Sequence, residues 1–287
     1  LWLHRYATFL ALSTFILIVA GGLVTSTESG LSVPDWPLSY GQFFPPMVGG
    51  VRFEHTHRLI AATVGILTVI LSVLLFRMDS RPWLRNLGLL AVLAVTFQAI
   101  LGGITVLYLL PTPVSVMHAC LAQTFFCLIA AIAFFVSPEW KNPVSVTDGE
   151  RGSIRRLLVL TTSLAYVQLV IGAITRHSGG KGVSFHIIVG FLILLHTLFV
   201  VFKISSRDSA GGLVRFSSHA VLLGVLVLIQ VFLGFGAFIT TLMMPKAEAP
   251  RTAEILLTAA HQSMGALILA GYFLLTLRVY RVTKDPS

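Results

Sequence analysis

Four histidines recur at matched places along this chain: His57, His118, His186 and His261. Each stands near the start of a long apolar run, just after a connecting segment. Each is also preceded by another apolar run that carries small residues near its end. Polar residues within apolar spans tend to face the interior of a helix bundle and to mark function. Two imidazoles on facing helices can hold a haem iron from both sides, and bundle interiors commonly house such groups. The natural pairs are His57 with His118 and His186 with His261. One metal site made of all four histidines is the rival arrangement, but placement in two separate halves favours two paired sites.

The segment between the first two apolar runs, Thr25–Arg58, holds more chemistry than a plain connection needs. It carries Glu28, Asp35 and Glu54, three of the chain's eleven carboxylates, and the sequence Asp35-Trp36-Pro37. Glu54 precedes His57 by three residues, which puts the two on one helix face. Such a carboxylate can relay protons or orient a substrate at the mouth of a pocket; a solvated acid at the membrane interface fits the spacing equally well. Arg58, Arg176 and Lys181 are cations beside the same ends of the helices, placed to pair with the carboxylates of a bound macrocycle. Trp36 and Phe43 read either as interfacial aromatics or as a lid over an apolar site.

The remaining candidates read as structural. His55 is two positions from His57 and points to another face. His196 lies ten residues beyond His186, about 15 Å deeper at 1.5 Å per helical residue. His177 sits in a short connection, and His4 and His219 lie at the opposite edge. Cys120 and Cys127, the chain's two cysteines, are seven apart without metal-finger spacing and read as inert buried thiols. Nucleotide-binding, zinc-protease and catalytic-triad motifs are absent.

The elements that must position these residues are membrane helices. The chain is 56% hydrophobic and 11% charged, with a mean hydropathy of +0.90; soluble domains carry about 25% charged residues. Apolar runs long enough to span a bilayer as helices lie near 6–25, 57–76, 87–108, 114–136, 154–175, 184–203, 216–242 and 255–277. The first lacks a small-residue cleavage site and is expected to be a helix rather than a removed signal peptide. The net charge of +9 is not a nucleic-acid footprint. Arg77, Arg81, Arg85, Lys141, Arg151, Arg155, Arg156, Lys203, Arg207, Arg215, Arg278, Arg281 and Lys284 fall on one set of connections and at the end of the chain. That asymmetry predicts cytoplasmic termini.

The expected fold is therefore all-α, an integral membrane protein of eight transmembrane helices arranged as two pseudo-symmetric four-helix bundles. The polar stretch 137–153 divides residues 1–136 from residues 154–287. Internal similarity supports the division. Gln98-AIL-Gly102-Gly103-Ile104-Thr105, Gln168-LVI-Gly172-Ala173-Ile174-Thr175 and Gln230-VFL-Gly234 are copies of one pattern, whose end returns as Gly21-Gly22-Leu23-Val24-Thr25. The small residues either bring helix backbones together or leave room for a flat macrocycle. The glutamines are placed to bond across helices.

The motifs Thr27-Glu28-Ser29-Gly30-Leu31-Ser32, Asp35-Trp36-Pro37, Glu54-xx-His57-Arg58, Pro111-Thr112-Pro113 before His118, and His261-Gln262-Ser263 give the chain a resemblance, over essentially all eight spans, to the haem A synthase family. The resemblance implies an oxidoreductase of the bacterial plasma membrane or mitochondrion that serves cytochrome oxidase assembly, oxidising a ring methyl of haem O to a formyl group. It implies a substrate haem near His57 and His118 in the N-terminal half, a haem b held by His186 and His261, and a functional role for Glu54. Lipid, haem O, the enzyme that makes it and an electron donor would be the partners, in a protein compatible with a homo-oligomer. Many bacterial relatives have a cysteine pair in the first connection; here Val33 and Ser39 are among the residues where cysteines are expected. Ile187 stands where Arg58 does in the first half. A dihaem b-type, quinol-linked electron carrier explains the histidine pairs but not the first connection. A transporter built on inverted repeats fits poorly, because four-helix halves share one orientation.

Overall fold

The computed structural model describes residues 1–143, 151–206, 212–245 and 247–283. Linker positions 144–150 and the charges on the Arg151 side chain, Arg207 and Lys284 lie outside the described residues. Among the described residues the chain is helical throughout: α1 (Trp2–Ser26), α2 (Val51–Met78), α3 (Pro82–Leu107), α4 (Thr112–Phe135), the single turn α5 (Pro138–Lys141), α6 (Arg151–His177), α7 (Val183–Ser205), α8 (Ser217–Phe238) and α9 (Thr252–Val282). A 3-10 turn, Leu213–Phe216, leads into α8, and a π-helical turn, Ile239–Met243, ends it.

Eight of these helical segments are long and apolar enough to cross a membrane, and each coincides with one expected apolar run. The helices are longer than the runs, as where 57–76 becomes Val51–Met78 and 255–277 becomes Thr252–Val282. Charged residues at the ends extend a helix without entering its apolar centre, so hydropathy alone stops short. The protein is a multi-pass membrane protein. Its helices keep large apolar side chains on their outward faces: Ile66 is 63% exposed, Leu93 67%, Leu195 64% and Phe232 70%. In water such faces would be a liability; against hydrocarbon they are solvated, while the helical backbone satisfies its own hydrogen bonds.

The chain packs as two compact units, one of residues 1–133 and 233–263, the other of residues 134–232 and 264–287. In the first unit α1 packs on α2 and α2 on α3. Leu10, Leu71, Leu75, Leu84, Ile129 and Ile132 fill its interior with no exposed surface. The start of α9 joins α1 through Thr258, whose Oγ1 donates to Ser26 Oγ at 2.7 Å. In the second unit α6 packs on α7, and Leu158, Val200, Ile204, Leu213, Tyr272 and Val279 share one core. The fully buried Tyr272 donates its hydroxyl to Thr197 Oγ1 at 2.7 Å, which satisfies the only polar atom on an otherwise apolar ring.

Candidate functional site

One glycine in each copy of the repeat is the seat of a histidine. A Cβ built on Gly21 would lie 3.1 Å from Cε1 of His57, and one on Gly102 would lie 3.3 Å from Cε1 of His118. In the other two copies the distances are 2.9 Å from Gly172 to His186 and 2.7 Å from Gly234 to His261. The sequence left open whether these glycines serve helix contact or ligand room. At these four positions they make room for an imidazole edge on the neighbouring helix. Any side chain there would push the ring away.

A second contact fixes two of these histidines from behind. Gln98 donates through Nε2 to the backbone carbonyl of His118 at 3.0 Å, and Gln168 does the same to His186 at 2.8 Å. Each glutamine stands one helical turn before the glycine seat, so one helix offers an amide and a gap to one neighbour. The expected cross-helix bonding is thus found, and its acceptor is the histidine's own backbone. In both glutamines Oε1 is buried without a hydrogen-bond partner. In α1 the position of the glutamine is Leu17, whose carbonyl is the backbone acceptor faced by the His57 ring.

His57 and His118 belong to the same compact unit. Both rings are half-buried. Nδ1 of His57 is buried and makes no hydrogen bond. Two imidazoles on different helices, each in a notch cut by glycine, form a donor set that fits a haem. No cluster of three or more potential metal-binding side chains occurs among the described residues.

Glu54 is not a solvated acid. It is 3% exposed, and its Oε2 accepts the backbone N–H of Val33 at 2.9 Å. Its other oxygen pairs with Arg58, one turn further along α2. Arg58 also donates to the carbonyls of Asp35 at 2.7 Å, Leu38 at 2.6 Å and Val33 at 3.3 Å. The pair therefore grips the preceding segment. The sequence placed Arg58 as a partner for a macrocycle carboxylate; here most of its N–H groups go to the protein itself.

The rest of that segment is tied just as closely. Asp35 accepts the backbone N–H groups of Tyr40 at 2.6 Å and Gly41 at 2.8 Å. The Gly41 N–H foremost, then that of Tyr40 and the Arg58 charge, hold its carboxyl below the ordinary carboxylate range despite partial desolvation. Tyr40 donates its hydroxyl to the Ser32 carbonyl at 2.6 Å. Ser39 and His55 hydrogen-bond at 2.8 Å, both buried, and His55 Nε2 is left without a partner. Trp36 lies on α3: a Cβ on Gly103 would meet its indole at 2.9 Å. Sequence reasoning missed the Ser39–His55 and Trp36–Gly103 contacts. The signal available for the second was the double glycine in α3.

Arg176 and Lys181 are both exposed, in the last turn of α6 and in the connection that follows. His4 Nδ1 meets the Ala133 carbonyl at 2.9 Å, and His196 Nδ1 meets Thr161 Oγ1 at 3.5 Å. Cys120 and Cys127 are free thiols.

A family model described as cytochrome oxidase assembly protein (COX15-CtaA) matches residues 4–49 and 49–132. Curated relatives carry the name heme A synthase. One from Shouchella clausii is 27% identical over 184 residues, covering 61% of this chain and 60% of its own. One from Bacillus pumilus is 29% identical over 57% of this chain and 55% of its own. One from an Exiguobacterium species is 23% identical over 257 residues, 82% of each chain. The chain is similar to heme A synthases over more than half of its length. The matches to the first two relatives span less than two thirds of those proteins' length. The family match spans α1 to most of α4, the helices that carry the glycine seats of His57 and His118 and the clamped segment between α1 and α2.

Proposed function

We propose that the protein oxidises a ring methyl of haem O to a formyl group, giving haem A for terminal oxidase assembly. The observation that carries this reading is the asymmetry around equal seats. All four histidines rest on glycines, but among the described residues only the segment before His57 is gripped by an acid–arginine pair and laid over α3. A merely structural haem needs no such cover, whereas a substrate has to be oriented and shielded from water.

In this reading haem O is the substrate at His57 and His118. His186 and His261 are the proposed ligands of a haem b, each supported by its own glycine contact. Bound haem b would supply iron redox chemistry. Glu54 holds the substrate cover in place through Val33 and Arg58; with both oxygens engaged, its carboxylate is a positioning group first. Arg176 and Lys181, both exposed, are the cations assigned here to the carboxylates of a bound haem. The excess of basic residues on one set of connections supports cytoplasmic termini, in a protein of the plasma membrane. The working partners are lipid, haem O, the enzyme that makes it, and an electron donor.

The test is haem extraction from cells that express the protein together with a source of haem O. Formyl haem is expected, and His57→Ala should abolish it. Absence of both formyl and hydroxymethyl haem, with no effect of His57→Ala, would reject the reading. The recurrence of a glycine seat at all four histidines favours one alternative, a dihaem b-type electron carrier. Two stably retained, reversibly titrating haems without product haem would select it.

A further inference from the structure

We propose that Trp36 is a specificity-determining residue: it bounds the His57–His118 pocket and favours a haem with a long apolar substituent over one without. The proposal rests on the functional reading above and adds the residue that selects the substrate.

The repeat isolates the feature. The residue after the histidine seat is Gly22 in α1, Gly103 in α3, Ala173 in α6 and Phe235 in α8. At Gly103 the indole of Trp36 occupies the space a side chain would need, with Cδ2, Cε3 and Cε2 at 2.9, 3.1 and 3.2 Å from a Cβ built there. The ring system thus lies against bare backbone. Consecutive helix positions are about 100° apart, so the Trp36 contact and the His118 contact at Gly102 occupy adjoining faces of α3. A side chain spanning them can touch the edge of whatever His118 holds.

Trp36 is also held unusually well for a residue between helices. The carbonyls on either side of it, Asp35 and Leu38, both accept from Nη1 of Arg58, and the Asp35 side chain closes the following turn. Yet 40% of Trp36 remains exposed. A large apolar surface on a fixed arm beside an iron-ligand pocket fits an alkyl chain, which gains affinity by burial against indole. A polar ligand would gain nothing from it. A haem that carries only short substituents would leave it uncovered.

The experiment uses the full-length protein in detergent. Gly103→Ala copies Ala173 and displaces the indole without touching any histidine, Glu54 or Arg58. Trp36→Ala removes the indole outright. Purified protein is titrated with haem O and with haem B, followed by the haem absorption band. Wild type should prefer haem O, and both variants should lower that preference about tenfold. The ligation spectrum of bound haem should stay unchanged. Acrylamide quenching of the Trp36 emission, assigned by difference against Trp36→Phe, should rise in Gly103→Ala. No preference in wild type, or an undiminished preference in both variants, overturns the proposal. A wild type that prefers haem O but makes no formyl haem defeats the functional reading and leaves the selectivity of Trp36 standing.

Discussion

Glu54 and Arg58 stand one turn apart on α2 and grip the same residue from two sides: the carboxylate takes the N–H of Val33, the guanidinium its carbonyl. Val33 is fully buried, so this is a pin rather than a surface contact. Removing the acid leaves the Arg58 charge largely buried and uncompensated, which costs about 3–5 kcal/mol in comparable pairs. Glu54→Ala should therefore release residues 33–38. Hydrogen exchange at the Val33 amide should accelerate at least tenfold, and unchanged protection would show that the pin is not what orders the segment.

The four glycine seats are not equally tight. By the Cβ distances, Gly234 at 2.7 Å and Gly172 at 2.9 Å leave less room than Gly21 at 3.1 Å and Gly102 at 3.3 Å. An added methyl must displace a ring, and overpacking of this kind costs about 1–3 kcal/mol. Alanine substitution should reduce retained haem most at Gly234 and Gly172 and least at Gly102. The reduced-minus-oxidised spectrum of each purified variant reads the order directly. A reversed order would mean the rings move aside freely.

Much of this was legible in sequence because membrane helices announce themselves through hydropathy, and because the repeat aligned His57, His118, His186 and His261. The cross-helix role of Gln98 and Gln168 was legible too, since a buried amide in a span needs a partner. What the sequence did not show is where partners outside the helix lie. Glu54 was read against His57, three residues on, when its bond is to Arg58, four residues on; both spacings share a face, and only the fold of the preceding segment decides. Trp36 and Gly103 are 67 positions apart, and no local periodicity links them. The double glycine hinted at a close approach without saying to what.

Gln98 and Gln168 each hold one histidine backbone in place. A neutral hydrogen bond of this kind contributes about 1 kcal/mol net, and α1 manages with Leu17 at the same place. Gln168→Leu should therefore leave the protein folded and haem-loaded. It should still broaden the low-spin signal in electron paramagnetic resonance, because the His186 backbone is less tightly fixed. A complete loss of pigment would indicate that the amide does more than position.

Asp35 gives the segment a pH dependence with a definite sign. Its folded carboxyl is held below the ordinary value by the N–H groups of Gly41 and Tyr40, so the charged form is favoured in the folded state. The stabilisation is complete above the unfolded value of about 3.9 and disappears as pH falls through the lower folded value. Tyr40 and Gly41 amides should keep their exchange protection, after correction for the intrinsic rate, down to about pH 4 and lose it below. Asp35→Asn should remove that acid step; a step that survives the substitution belongs to another group.

Gly50 offers the sharpest steric test, because it lies at the N-terminal edge of α2 in ordinary helical conformation, where its lack of a side chain matters only for space. A Cβ there would overlap Ser32 Oγ and fall 2.9 Å from Ser29 Oγ and 3.0 Å from Ser32 Cβ. Rotating one hydroxyl cannot clear all three. The Gly50 carbonyl accepts the N–H groups of Phe53 and Glu54, so backing Gly50 away shifts the turn that carries Glu54 and, after it, His57. Gly50→Ala should therefore weaken both the Val33 pin and haem binding at His57. Adding Ser32→Gly removes two of the three clashes and should restore part of the loss, with Ser29 accounting for the remainder. Non-additivity of about 1 kcal/mol or more between the two substitutions is the expected signature of direct contact. Purely additive effects on haem affinity would place the defect elsewhere than in the Gly50–Ser32 contact.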